Sequence, residues 1–235
     1  MSDLVQAASA ILAQAQQRTE IAGRNVANAT VPAYKRQVAF TALASAPGGD
    51  RSDARPITTA VDFRPGKLVE TGNPYDLALG GAGFFAVADE GGVRFTRAGR
   101  FTRRGDGRLV DVLGGVLQAT GGGDVVVGEG PFEVRPDGGV FLGGKPAGRV
   151  AVYDTARPQA LVLVDGGFAD REGGQQIVEE ARVVQGFYEA SNVSTADEMV
   201  QMMQALRSAE AGQRVMIAYD DLMGRVLSIL GESVR

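Results

Sequence analysis

Apolar positions near the start of the chain step by three and four. Val5, Ala8, Leu12, Ala15, Thr19, Ala22 and Val26 form a heptad seam over about Asp3 to Asn28, widened by Leu4 and Ile11, and predict a helix. Three seam members are alanine and one is threonine, so each turn buries little area. At roughly 25 cal/mol per Å² such a helix is hardly stable alone, and it needs a partner. Pro32 ends the run, because proline disfavours helix in the residue before it.

The same period returns at the other end, from about Thr195 to Leu230. Met199, Met202, Leu206, Ala209, Gln213, Met216, Asp220, Met223, Leu227 and Leu230 step by three and four, with Met203, Ile217 and Val226 beside them. Thr195 with Glu198 has capping-box spacing. Asp220 falls on the seam, where a polar group can fix register. Two readings account for these helices: each packs on the middle of the chain, or they pair with each other. A seam held for nearly five heptads favours pairing.

Between the helices the period changes to short strands cut by turns. Asp76–Gly80, Phe84–Ala88, Val93–Arg97, Arg108–Val112, Asp124–Val127, Phe132–Arg135, Arg149–Tyr153 and Leu161–Val164 read as strands. Gly91-Gly92, Gly121–Gly123 and Pro136-Asp137-Gly138 read as turns. The expected class is α+β, with terminal helices paired as a coiled coil around a central all-β domain. The expected division is 1–36 with 185–235 as a helical polymerisation core, 37–62 as connector (45–58 polar and irregular), and 63–184 as an outer β domain.

Composition narrows the function. The 33 glycines, concentrated between residues 48 and 174, fit many tight turns. Lys and Arg total 24 against 28 Asp and Glu, well mixed, so nothing points to nucleic acid. The absence of cysteine and histidine removes thiol chemistry, the usual metal ligand and the commonest general base. Asp220-Asp221 sit side by side on a helix and do not share a face. Gly80-Gly81-Ala82-Gly83 lacks the Lys-Ser/Thr of a phosphate loop and reads as a hairpin turn. Arg94, Arg97, Arg100, Arg103 and Arg104 read as an exposed, solubilising strand surface, with contact to an acidic neighbouring subunit as the second reading. No catalytic residue, cofactor or metal ligand is expected. No run of 18 apolar residues points to a lipid-embedded segment, and no basic region followed by an apolar core marks a cleavable signal.

Three blocks resemble the rod, hook and hook-associated axial family of the bacterial flagellum. The first is Asn25-Val26-Ala27-Asn28-Ala29-Thr30-Val31-Pro32-Ala33-Tyr34-Lys35-Arg36. The second runs from Asn73 through Val87, followed by Phe95–Phe101 and Gly107–Val110. The third is Gln185-Gly186, Ser191-Asn192-Val193 and Glu198-Met199-Val200, continued by Arg207, Glu210, Asp220 and Met223. Ala33 stands where the family usually has glycine, which argues that the helix exit needs no strongly positive φ. Ala209 and Gly212 replace larger residues common there.

The resemblance implies a non-enzymatic subunit of the basal-body rod, and length and connector favour the F-type proximal branch over the G-type distal one. It implies export without a cleaved signal through the flagellar type III apparatus, periplasmic assembly, and partners that are copies of the chain and other rod proteins. The expected subunit-interface residues are Val5, Leu12, Ala15, Ala22, Val26, Asn28, Tyr34, Met199, Met202, Leu206, Met216, Met223 and Leu227. A rival of another class is a secreted β-domain binding module with helical oligomerisation ends. The absence of tryptophan leaves that module without a preferred sugar platform.

Overall fold

A computed structural model describes residues 2–41, 57–170, 173–178 and 181–232. The chain divides into two compact units, one of residues 1–27, 37–61 and 194–235, the other of residues 28–36 and 62–193. With terminal helices and a strand-rich middle, the class is α+β.

The first unit holds helix Ser2–Ala27 (α1) and helix Thr195–Glu232 (α2). The helices lie against each other and run antiparallel. Asn25, near the end of α1, meets Glu198 at the start of α2, and Ala8, Ile11 and Leu12 meet Gly212. Strands Gln37–Thr41 and Ile57–Val61 pair antiparallel in the same unit, Gln37 opposite Val61. Most of the polar connector, residues 42–56, lies outside the described residues.

The second unit is built of antiparallel strands. Among the described residues its largest sheet has nine strands, with Phe84–Asp89 near the middle, paired to Gly92–Thr96, Val116–Leu117 and Val152–Thr155. Phe132–Val134, Gly139–Leu142 and Lys145–Arg149 form a separate three-stranded sheet. Leu77–Leu79 pairs with Val183–Gln185, and Leu68–Glu70 with Phe187–Glu189. The core gathers Leu77, Phe85, Phe101, Leu109, Leu117 and Val152, among other buried apolar side chains. Gly99 is fixed by crowding: a Cβ there would stand 1.5 Å from the Leu77 carbonyl oxygen, and its own carbonyl accepts the Leu77 N–H at 2.8 Å.

Four expectations need correction. Gly80–Gly83 is not a hairpin turn, since Leu77–Leu79 and Phe84–Asp89 pair with other strands; it links separate sheets. Asp124–Val127 makes isolated bridges, from Asp124 to Gln118 and from Val126 to Arg108, rather than a ladder. Arg149–Tyr153 is divided between two sheets at Val150 and Ala151. The arginine cluster is only partly a surface: Arg94 is 6% exposed and Arg97 5%. Each buried guanidinium has a carboxylate, as burial of charge requires. Arg94 meets Asp111 at 2.7 Å, and Arg97 meets Glu189 at 3.3 Å.

Candidate assembly interface

The α1 seam is the one its periodicity predicts. Ala8, Ala15 and Ala22 are buried, and Val5, Leu12, Thr19 and Val26 are half-buried between them. Ile21, outside the predicted seam, is buried too. On α2 half of the seam shifts by one residue. Met202, Ala209, Met216 and Met223 are half-buried as expected. The alternate positions are Glu198, Ala205, Gly212 and Tyr219, not Met199, Leu206, Gln213 and Asp220, which are exposed. Asp220 therefore does not sit in the intramolecular seam. Gly212 explains the choice of face: a Cβ there would come within 3.3 Å of Ile11 Cγ2 and Leu12 Cγ and 3.4 Å of the Ala8 oxygen. Small residues on both helices permit close approach, and the larger Met199 and Leu206 are left outward.

α2 starts on Ser194 rather than on a Thr195 capping box. The Ser194 hydroxyl accepts the Asp197 N–H at 3.4 Å, and its carbonyl accepts the Glu198 N–H at 3.0 Å, an N-cap arrangement. This leaves the Glu198 carboxylate turned inward, buried, with one oxygen accepting from Asn25 Nδ2 at 3.0 Å. Asn25 also acts as a strand partner for Gln37: its Oδ1 accepts the Gln37 N–H at 2.9 Å, and its Nδ2 donates to the Gln37 carbonyl at 2.8 Å. One buried amide thus ties the end of α1 to the start of α2 and to the first strand.

The segment that follows α1 belongs to the second unit and is held there by polar groups. Asn192 accepts the Arg36 N–H at 2.7 Å and donates to the carbonyls of Asp62 and Arg64. Lys35 is buried. Its Nζ donates to Glu189 Oε1 at 2.5 Å and to the Arg64 carbonyl at 3.0 Å. Glu189, 1% exposed, also accepts the Gly66 N–H at 2.7 Å on Oε1 and Arg97 Nη1 on Oε2. Arg97 Nη2 reaches the Gly81 carbonyl at 2.6 Å, and the guanidinium lies over the Phe84 ring. Two cations share one carboxylate. Burial, with Arg97 acting the same way, holds the Lys35 ammonium below its ordinary value against the hydrogen bond and charge of Glu189, and burial likewise lowers Arg97.

Ala33 reverses a sequence expectation. Its φ is +58°, the only positive value outside glycine among the described residues. The exit from α1 does use a left-handed residue, at a cost of about 1 kcal/mol for a side chain with a Cβ. Alanine is small enough to accept it, and its N–H donates to the Glu189 carbonyl at 2.8 Å.

The expected interface residues divide into groups. Val5, Leu12, Ala15, Ala22, Val26, Met202, Met216 and Met223 lie in the α1–α2 seam, while Met199 and Leu206 face solvent. Asn28 and Tyr34 are half-buried in the second unit, and the Leu227 side chain lies outside the described residues. Sequence reasoning missed Asn25, Lys35, Arg97, Glu189 and Glu198 as structural centres. Asn25 and Lys35 stand in the first resemblance block, Arg97 in the second and Glu198 in the third, whereas Glu189 stands in none. Among the described residues no cluster of acidic, histidine or cysteine side chains is placed to hold a metal. None of the described helices is long and apolar enough to cross a membrane.

Two family models match the chain: the C-terminal region of the flagellar basal-body rod proteins FlgE, FlgF and FlgG over residues 184–229, and the D1 domain of flagellar hook proteins FlgE/F/G over residues 78–142. The flagellar basal-body rod protein FlgF of Caulobacter vibrioides is 31% identical over 227 residues, covering 91% of each chain. FlgF of Mesorhizobium japonicum is 28% identical over 83% of this chain and 84% of its own. FlgF of Escherichia coli is 26% identical over 99% of this chain and 100% of its own. The matches span both helical ends and the strand-rich middle, so the chain belongs to the flagellar basal-body rod family, as an F-type structural subunit and not an enzyme.

Proposed function

We propose that this rod subunit polymerises through its two terminal helices, packed as an antiparallel coiled coil, with the strand-rich region as an outer domain. The observation that carries the reading is the outward side of α2. Met199, Met203, Leu206 and Ile217 are each more than half exposed along one helix, far more apolar surface than a helix facing only water presents. Neighbouring subunits, copies of this chain or other rod proteins, cover it. The expected interface residues act in two ways: the seam residues build the helix pair, and Met199 and Leu206 meet the neighbour. Export through the flagellar type III apparatus and assembly in the periplasm complete the reading, supported by membership of the rod family.

The test is Leu206→Glu. Leu206 is 51% exposed, so a charge there leaves the folded monomer within about 0.5 kcal/mol of the parent. Incorporation into basal bodies should be lost. Wild-type incorporation and motility would refute assembly through this face.

A further inference from the structure

Sulfur in this chain is concentrated on one element. Of six methionines, Met199, Met202, Met203, Met216 and Met223 lie on α2, and the chain has no cysteine, histidine or tryptophan. The thioethers are therefore its side chains most readily oxidised by an oxygen-atom donor. The structure sorts those on α2 into two environments. Met202, Met216 and Met223 are half-buried in the α1–α2 seam, whereas Met199 is 57% exposed and Met203 52%. Spaced by four residues, Met199 and Met203 stand on one face of the helix. Val200, Leu206 and Arg207 are exposed around them.

Leucine or isoleucine at these two positions would offer a similar apolar surface and be inert to peroxide. Methionine is the apolar side chain that peroxide makes polar. Access to the sulfur sets the rate of that change, so the exposed pair reacts ahead of the seam methionines, which α1 covers.

We infer that Met199 and Met203 form a paired oxidation site on the free subunit, and that a subunit carrying sulfoxides there is refused by the rod. With hydrogen peroxide, the O–O bond breaks and an S–O bond forms. The sulfur loses two electrons, and the second peroxide oxygen leaves as water. Return to the thioether needs an external dithiol, which releases the oxygen as water and becomes a disulfide; the chain, lacking cysteine, cannot supply it. Both sulfurs point away from the α1–α2 seam, so the fold is kept. A neighbour covering this face would have to bury two polar oxygens with no donor to meet them, which is unfavourable. This rests on the reading that the outward side of α2 meets a neighbouring subunit, and it adds a chemical control on that face.

Full-length chain treated with hydrogen peroxide, quenched at intervals and mapped by peptide-fragmentation mass spectrometry tests the site. Met199 and Met203 should oxidise at least about fivefold faster than Met202 and Met216. Equal rates at all four sulfurs overturn the inference. Chain oxidised at the pair alone should melt within about 2 °C of the untreated chain, and a fall of more than about 5 °C overturns it too, because the modification then acts on the fold. The double variant Met199→Gln with Met203→Gln copies the length and polarity of the sulfoxides without oxidant. Its incorporation into basal bodies should drop at least about tenfold. A double variant that incorporates at the parent level overturns the inference while the assembly reading still stands on Leu206→Glu. Normal incorporation of Leu206→Glu removes the assembly reading, and this inference falls with it whatever the sulfoxide map shows.

Discussion

Replacing Glu189 with glutamine separates the charge of the buried cluster from its shape. The side chain keeps its length and an acceptor for the Gly66 N–H, but Lys35 and Arg97 lose their common counter-charge in a site where Glu189 is 1% exposed. At an effective dielectric of about 20, a pair roughly 3 Å apart is worth about 5 kcal/mol. Loss of hydration offsets part of this, and removing one member of a buried pair costs about 3–5 kcal/mol in practice. Lys35→Met is the contrasting change. It leaves Arg97 and Glu189 as a neutral pair and removes a second cation that is buried beside Arg97, so it should cost less than about 2 kcal/mol. Urea unfolding followed by tyrosine fluorescence reads the difference. With a slope of about 2 kcal/mol per molar, Glu189→Gln should lower the midpoint by about 1.5–2.5 M and Lys35→Met by less than about 1 M. A Glu189→Gln midpoint within about 0.5 M of the parent, or a larger shift for Lys35→Met, would refute the assignment of Glu189 as the counter-charge on which the cluster depends.

Ala33→Gly should stabilise the chain by about 1 kcal/mol, because glycine takes φ +58° without the Cβ penalty; a lower melting temperature for the variant would count against it. Gly99→Ala places a methyl against the Leu77 carbonyl and should destabilise by about 3 kcal/mol or more. Gly81→Ala, with open space around it, should stay within about 0.5 kcal/mol of the parent in the same melts. Hydrogen bonding from Arg104 holds the Asp106 carboxyl at about 2, below the ordinary aspartate value of 3.8. Its folded value is depressed, so its contribution to stability is present above about pH 4 and is lost as pH falls toward 2. A carboxyl NMR titration should find that low midpoint in the parent and a return toward 3.8 in Arg104→Ala.

The α1 seam was legible because its inward positions alternate without competition. α2 offers two overlapping heptad tracks that share Met202, Ala209, Met216 and Met223. Ranking by hydrophobicity selects Met199 and Leu206 to complete the seam, whereas the structure uses Ala205, Gly212 and Tyr219. Close helix approach is set by small side chains, which carry little hydrophobic signal, so the larger residues remain outside. Most of the short strands were visible from their turns, but their partners were not: Phe187–Glu189 pairs with Leu68–Glu70 across more than a hundred residues. The charge cluster was hidden for the same reason. Arg97 and Lys35 meet Glu189 from 92 and 154 positions away, and an arginine on a short strand reads locally as surface. Ala33 shows the converse limit, since residue type alone did not reveal the left-handed turn that its hydrogen bond to Glu189 supports.

The distances along the chain between these partners set an order of events. Lys35 cannot be neutralised until residue 189 is present, and Asn25 cannot reach Glu198 until nearly the whole chain is available, a separation of 173 positions. A chain that becomes available from its N-terminus therefore has its leading helix and exit segment without their closing partners until its last part appears. Contacts of such long range close late because the loop entropy must be overcome first. The two polar locks therefore tie the leading segment to residues near the far end of the sequence, and neither forms on a chain that lacks that end.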